Sequence, residues 1–265
     1  MSEEHLLVQK TGHVLVLTMN RPAAKNAFSP NMLARMAEAW VTADSDDDIR
    51  VVILTGSTEV FCAGADLKAM MGNPDPGDDY AQRFKEDAGM AWRALLRHYR
   101  LTKPLIAAVE GPAIAGGTEI LQATDLRVAG ESATFGVAEV RRGLFPLGGS
   151  TVRLRRQIPY TVAADLLLTG RTISAREALE YGLIGHVVPD GTALAKAHEL
   201  ADLISANGPV AVRSVLRSLR ETEGLPEDEA LKIELDIGMQ VFRTEDAKEG
   251  PRAFAEKRPA VFVGR

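Results

Sequence analysis

Two segments of this sequence place a carboxylate beside small residues in a way that suits chemistry on a polarised carbonyl. In Ala-Gly-Gly-Thr-Glu (115–119) the glycines follow the apolar run Pro104–Val109, which ends at Gly111. Glycines at a strand-to-helix turn let backbone approach a ligand closely. They also leave N–H groups unpaired at the helix start, where a developing negative oxygen is stabilised. Glu119 then falls in the first helical turn. Phe-Cys-Ala-Gly-Ala-Asp (61–66) is a second small-residue turn, after the apolar run Val51–Thr55. Two such turns at the carboxyl ends of neighbouring strands can aim two N–H groups at one oxygen. Phe-Gly-Val-Ala-Glu (135–139) brings a second carboxylate, Glu139, twenty positions after Glu119. Other readings fit the same spacing: a packing turn in which Glu119 only balances the helix dipole, and a surface ion pair of Glu139 with Arg141 or Arg142.

The elements that must hold these groups alternate between strand and helix. Leu6–Val8 and Val14–Met19 around Thr11-Gly12 predict a hairpin, ended by Asn20-Arg21-Pro22. Ser29-Pro30 predicts a helix start, with Met32, Leu33, Met36, Ala37 and Trp40 on one face. Asp44–Asp48 reads as a solvated turn. Val51–Thr55 and Pro104–Val109 read as buried parallel strands. Between them, 72–79 predicts a mobile loop and 80–100 a helix, and Asp125–Ala129 a further strand. Strand, helix and strand in that order argue for a right-handed crossover and an α/β core. After about Tyr160 helical patterns follow one another: 161–168, 174–181, 193–206, 209–221, 226–242 and 246–257. The expected architecture is an α/β core over residues 1–195 and an all-helical segment over 196–265.

Composition narrows the function classes. The 265 residues are 46% hydrophobic and 25% charged, the mix of a globular chain. A net charge of −5 argues against general nucleic-acid binding. Arg153, Arg155 and Arg156 form a local basic cluster that reads as a solvated face or a subunit contact. One cysteine, Cys62, rules out an intramolecular disulfide. Five scattered histidines lack metal-ligand spacing. The start lacks a secretory pattern, and no apolar run is long enough to span a membrane, so the cytoplasm is the expected location.

Taken together the segments resemble the crotonase superfamily, the enoyl-CoA hydratase and isomerase group. The resemblance covers essentially the whole chain. It is carried by Asn-Arg-Pro-Ala-Ala-Lys-Asn-Ala (20–27), Phe-Cys-Ala-Gly-Ala-Asp-Leu (61–67) and Lys-Pro-Leu-Ile-Ala-Ala-Val-Glu-Gly (103–111). Ala-Gly-Gly-Thr-Glu (115–119), Phe-Gly-Val-Ala-Glu (135–139) and Ala-Phe-Ala-Glu-Lys-Arg (253–258) complete it. It implies a crotonase-like core of ββα units with a C-terminal helical segment that serves trimerisation and caps CoA. The substrate would be an acyl-CoA thioester, with coenzyme A as part of the substrate and no separate cofactor. The N–H groups of Ala63 and Gly116 would form the oxyanion hole. Lys25, Ala27, Ala63, Gly64, Ala65, Asp66 and Leu67 would line the CoA path. Phe254 and Lys257 would reach CoA in a neighbouring subunit of a trimer or a dimer of trimers.

The implied reaction is hydration of a 2-enoyl-CoA, with Glu119 accepting from water and Glu139 donating a proton to C2. Leu147, in Pro-Leu-Gly-Gly-Ser (146–150), stands where hydratases often carry a small residue. Arg141 or Arg142, if turned towards Glu139, would lower its pKa and hinder it as an acid. Three rival readings have their own signatures. A Δ3,Δ2-enoyl-CoA isomerase would act with one glutamate, an idle acyl-CoA binder would bind without turnover, and an RNA binder would be strongly salt-dependent. Medium-chain fatty acyl groups are the default substrate, and Lys103–Ile120 is similar to members acting on bulky, steroid-derived acyl-CoAs.

Overall fold

The apolar runs form the centre of a six-stranded sheet. The computed structural model describes residues 4–75, 81–87 and 89–265. In it β1 (Leu6–Thr11), β2 (Val14–Met19), β3 (Val51–Thr55), β4 (Leu105–Val109), β6 (Leu126–Gly130) and β9 (His186–Val188) lie side by side in that order. The β1–β2 hairpin is antiparallel and every later pair is parallel. A second sheet, β5 (Pro112–Ile114), β7 (Thr134–Gly136) and β8 (Ile173–Ser174), sits beyond the ends of β4 and β6.

Side chains alternate across the sheet because a strand has a period of two. Val51 and Ile53 belong to one layer with Val16, Ile106 and Val128, and Ala193, Ala197 and Ala201 of helix α9 (Ala193–Ser205) close over them. Alanine at four-residue intervals lets that helix lie close to the strands. Val52 and Leu54 belong to the opposite layer, with Leu17, Leu105 and Ala107 and with Met32, Met36 and Trp40 of α1 (Pro30–Ser45). Each fully buried side chain of this size contributes about 1.5–3 kcal/mol. Helix α1 starts as its residues dictate: the Ser29 hydroxyl accepts from Met32 N and Pro30 takes the first turn. Trp40 Nε1 donates to Ala94 O at 2.9 Å and ties α1 to α4 (Met90–Ala94).

The remaining helices are α2 (Leu67–Met70), α3 (Ala81–Glu86), α5 (Gly116–Leu121), α6 (Ser150–Gln157), α7 (Tyr160–Thr169), α8 (Ala175–Glu180), α10 (Pro209–Glu221), α11 (Glu227–Val241) and α12 (Glu245–Ala255). Arg50, just before β3, donates to Ser205 O and Phe262 O at 2.8 Å each. Asp246 accepts from Val263 N and Gly264 N. These bonds fasten the C-terminal segment at the amino end of β3.

Several expectations change. The single helix over 80–100 is replaced by α3 and α4, and the Asp87 carboxylate accepts from Gly89 N at the start of α4. Residues 76–80 of the loop and helix expected there, and residue 88, lie outside the described residues. Strands do not stop at Tyr160, since β8 and β9 follow it. The expected boundary at 195 falls inside α9, a helix that packs on the main sheet.

Candidate active site

The turn 61–66 is built on its neighbours by backbone pairing. Phe28 N donates to Gly64 O and Asp66 N to Phe28 O, so 64–66 runs extended beside Phe28. Buried Asn26 pins the facing loop: its amide donates to Val60 O and Phe61 O and accepts from Arg21 N. The adjoining Lys25 carbonyl accepts from Ala63 N at 3.0 Å. The donor expected from Ala63 is therefore engaged inside the protein, which corrects its assignment to the oxyanion hole. Successive N–H groups of an extended segment point to opposite sides. With Asp66 N directed at Phe28, Ala65 N is directed away, and it has no acceptor among the described residues.

Gly116, the first residue of α5, also has an N–H without an acceptor among the described residues. The two turns touch: a Cβ added to Gly64 would lie 3.0 Å from Gly116 N and 2.8 Å from Ala115 Cβ. Gly64 is glycine for that approach and for its φ of +93°. Ala115 makes the bend into α5 at φ 53°, ψ −124°, a conformation that strains any side-chain-bearing residue. Its N–H donates to Gly136 O at 2.7 Å, which fixes β5 against β7.

Glu119 points back from α5 and is 4% exposed. Its Oε2 accepts from Gly148 N at 3.0 Å and its Oε1 from Ser150 N at 3.2 Å. Both oxygens thus serve as acceptors. A Cβ on Gly148 would come within 2.6 Å of Oε2, so only glycine fits there. Glu139 opens a 3₁₀ turn over Glu139–Arg142 that follows β7. Its Oε2 is buried and has no hydrogen-bond partner among the described residues. Burial first, then the charge of the neighbouring Glu119 and a hydrogen bond to it, push Glu139 up to about 7. Arg141 and Arg142 are exposed and do not act on it. Leu147 is 49% exposed, and its place beside Glu119 is taken by the backbone of Gly148.

The residues expected along CoA divide into two groups. Lys25, Ala65 and Leu67 are exposed at the turn, with Ala27 and Ala63 partly so and Gly64 buried. Asp66 is buried and turned inward. It accepts from Lys68 N and Ala69 N at the start of α2 and pairs with Arg21 at 2.7 Å. Burial alone would raise its pKa, but the Ala69 N–H, the Arg21 guanidinium and the Lys68 N–H outweigh it and hold the carboxyl below the usual range. Arg21, 8% exposed, also pairs with Asp75. Sequence reasoning missed Arg21, Asn26 and Gly148, because their partners lie far along the chain. Phe254, 88% exposed, and Lys257 lie on the segment fastened at the amino end of β3. That is the end of the sheet away from the glycine turns, so one chain does not bring them to the site.

Comparison with known proteins finds relatives over nearly the whole chain. The sequence profile described as enoyl-CoA hydratase/isomerase matches residues 9–265. The chain belongs to that family. It is 64% identical over 261 residues to enoyl-CoA hydratase EchA19 of Mycobacterium tuberculosis, covering 98% of this chain and 96% of that protein. It is 35% identical to 2,3-dehydroadipyl-CoA hydratase of Escherichia coli, over 98% and 99% of the two chains. A crystal structure of an enoyl-CoA hydratase from Mycobacterium tuberculosis superposes with a TM-score of 0.90 at 41% identity, covering 99% of this chain and 100% of that one. Crotonase-fold relatives of this kind carry the same α/β core and C-terminal helices. No described helix is long and apolar enough to cross a membrane.

Proposed function

We propose that this family member is an enoyl-CoA hydratase that adds water across the 2,3 double bond of a 2-enoyl-CoA. The observation that carries the reading is the unequal glutamate pair. Glu119 holds two backbone donors on its two oxygens, while Glu139, pushed up to about 7, is protonated in a large share of molecules at neutral pH. One carboxyl is an acceptor and the other a donor, as water addition requires.

The thioester oxygen sits on Ala65 N–H and Gly116 N–H, neither of which has an acceptor among the described residues. Their pull makes C3 electrophilic and stabilises the enolate that forms as water adds; one such donor is worth about 2.7–4 kcal/mol. Water lies between the carboxyls. Its oxygen bonds to C3 while Glu119 takes one of its protons, and Glu139 gives its proton to C2. Proton transfer from Glu119 to the adjacent Glu139 restores the pair. The addition neither oxidises nor reduces the substrate overall, so coenzyme A takes part only as the carrier of the acyl group. The turn at Lys25, Ala27, Ala63–Ala65 and Leu67 forms the CoA path, with Asp66 holding its shape through Arg21. Phe254 and Lys257 serve the CoA of a neighbouring subunit in a trimer or a dimer of trimers, which their distance from this chain's own turns supports.

The test is loss of the conjugated enoyl-thioester absorbance with short, medium and bulky 2-enoyl-CoAs. Wild type is expected to bleach it, and Glu119→Gln and Glu139→Gln to lose about 10²–10⁴-fold in kcat. Binding without bleaching by wild type would sink the reading. The preferred acyl group emerges from the same comparison.

A further inference from the structure

The arginine cluster on α6 opens on a cavity of about 480 Å³ that the hydration chemistry leaves unused. The cavity lies between α6, the segment 96–101 and α10, and Arg97, Arg100, Arg153, Arg156 and Arg220 line it. Each carboxylate at its rim already has its own arginine. Asp125 pairs with Arg220 at 2.8 Å, Glu223 with Arg156 at 3.7 Å and Glu221 with Arg217 at 2.8 Å. Arg97, Arg100 and Arg153 make no ion pair among the described residues, the charges of Glu221 and Glu119 reaching Arg100 and Arg153 only at longer range. Arg153 donates to the Leu96 and Gly148 carbonyls, and Arg97 to the Leu147 carbonyl, all neutral acceptors. Arg100 makes no hydrogen bond or ion pair among the described residues.

We propose that this cavity binds a phosphate-class anion on Arg97, Arg100 and Arg153. Three like charges gathered at one half-enclosed cavity in a chain of net charge −5 repel one another until an anion sits among them. Burial, and next the charge of Arg100, lower the Arg153 pKa against the opposing charge of Glu119, with Arg97 adding a smaller push. Guanidinium forks match phosphate oxygens in geometry and charge. The volume admits a single phosphate or the diphosphate of a nucleotide. The site lies behind the catalytic loop, since Arg97 and Arg153 hold the carbonyls of Leu147 and Gly148, and Gly148 N holds Glu119.

Trp92 gives a direct readout, because the Arg97 guanidinium lies 5.3 Å from its ring centroid. Orthophosphate and adenosine 5′-diphosphate are titrated separately into the full chain at constant ionic strength, followed by tryptophan fluorescence and by calorimetry. A saturable change at one anion per chain is expected. Arg100→Gln should weaken it roughly tenfold or more, the loss of one charge-assisted hydrogen bond. Arg176→Gln, an exposed arginine on α8, should leave it unchanged. Tighter binding of the nucleotide would identify a nucleotide diphosphate as the natural source, and equal binding the phosphate alone. Absence of saturation, or equal affinity in wild type and Arg100→Gln, would overturn the proposal. The titration needs no enoyl substrate, so its failure is separate from failure of the hydratase reading.

Discussion

The surroundings of Glu119 and of Glu139 differ in nearly every respect that sets the behaviour of a carboxyl. Glu119 lies on a helix, is 4% exposed, and has a backbone N–H on each oxygen. Glu139 lies on a 3₁₀ turn with a buried oxygen that has no hydrogen-bond partner among the described residues. Identical side chains thus meet different surroundings: backbone donors at Glu119, burial and a neighbouring carboxylate at Glu139. A buried orphan oxygen normally costs about 1–3 kcal/mol. Protonation, which the raised pKa of Glu139 favours, lowers that cost.

Removing either carboxyl should give the largest effect. In the proposed mechanism the two act on one water, so Glu119→Gln with Glu139→Gln should be little worse than the more damaging single variant. Multiplicative losses in kcat would instead mean that the carboxyls act in separate steps.

Gly148→Ala attacks the Glu119 side alone. Its Cβ would lie 2.6 Å from Oε2 and 2.8 Å from Cδ, so the carboxylate or the loop must shift. A displacement near 1 Å is expected to lower kcat by about 10²-fold with little change in KM. Thermal unfolding should show a cost of about 1–3 kcal/mol. A kcat within about twofold of wild type would show that the loop does not set Glu119.

The pH profile tests the Glu139 side. Glu139 must be protonated to donate, so kcat/KM should be level below about 7 and fall about tenfold per unit above it. The sign for stability follows from the same raised pKa: the folded chain binds the extra proton, so stability falls between the ordinary glutamate value and about 7 and is level above. In Glu119→Gln the neighbouring charge is gone, and carboxyl titration by carbon NMR should move Glu139 downward. An unmoved titration would leave burial as the sole cause.

Much of the frame was legible because its signals are local. Ser29-Pro30 and the Met32–Trp40 face announce α1, and Val51–Thr55 announces a strand buried on both faces. β5, β7 and β8 are two or three residues long, too short for any alternation to register. The Ala63 assignment failed for a different reason. In Cys-Ala-Gly-Ala-Asp every N–H looks equally available, and only pairing with Lys25 and Phe28 decides which one is left. Glu119 and Glu139 stood out by type and spacing, whereas Gly148 and Ser150, which distinguish the two, lie 29 and 31 residues beyond Glu119.

The smallest effect belongs to Ala115, where the Glu119 side holds its strain. At φ 53°, ψ −124° an alanine costs about 1–3 kcal/mol more than a glycine in the folded chain. Glycine would cost about 0.4–1 kcal/mol of that in extra unfolded entropy. Ala115→Gly should therefore raise stability by about 1 kcal/mol, read from the denaturant midpoint at unchanged slope. The bend stays in place through Ala115 N to Gly136 O and the Thr118 and Glu119 N–H groups on Ala115 O. Gly116 N–H then keeps its aim, and kcat should hold. A more stable variant with lower kcat would mean that the alanine methyl group, pressed against Gly64, also steadies the oxyanion turn.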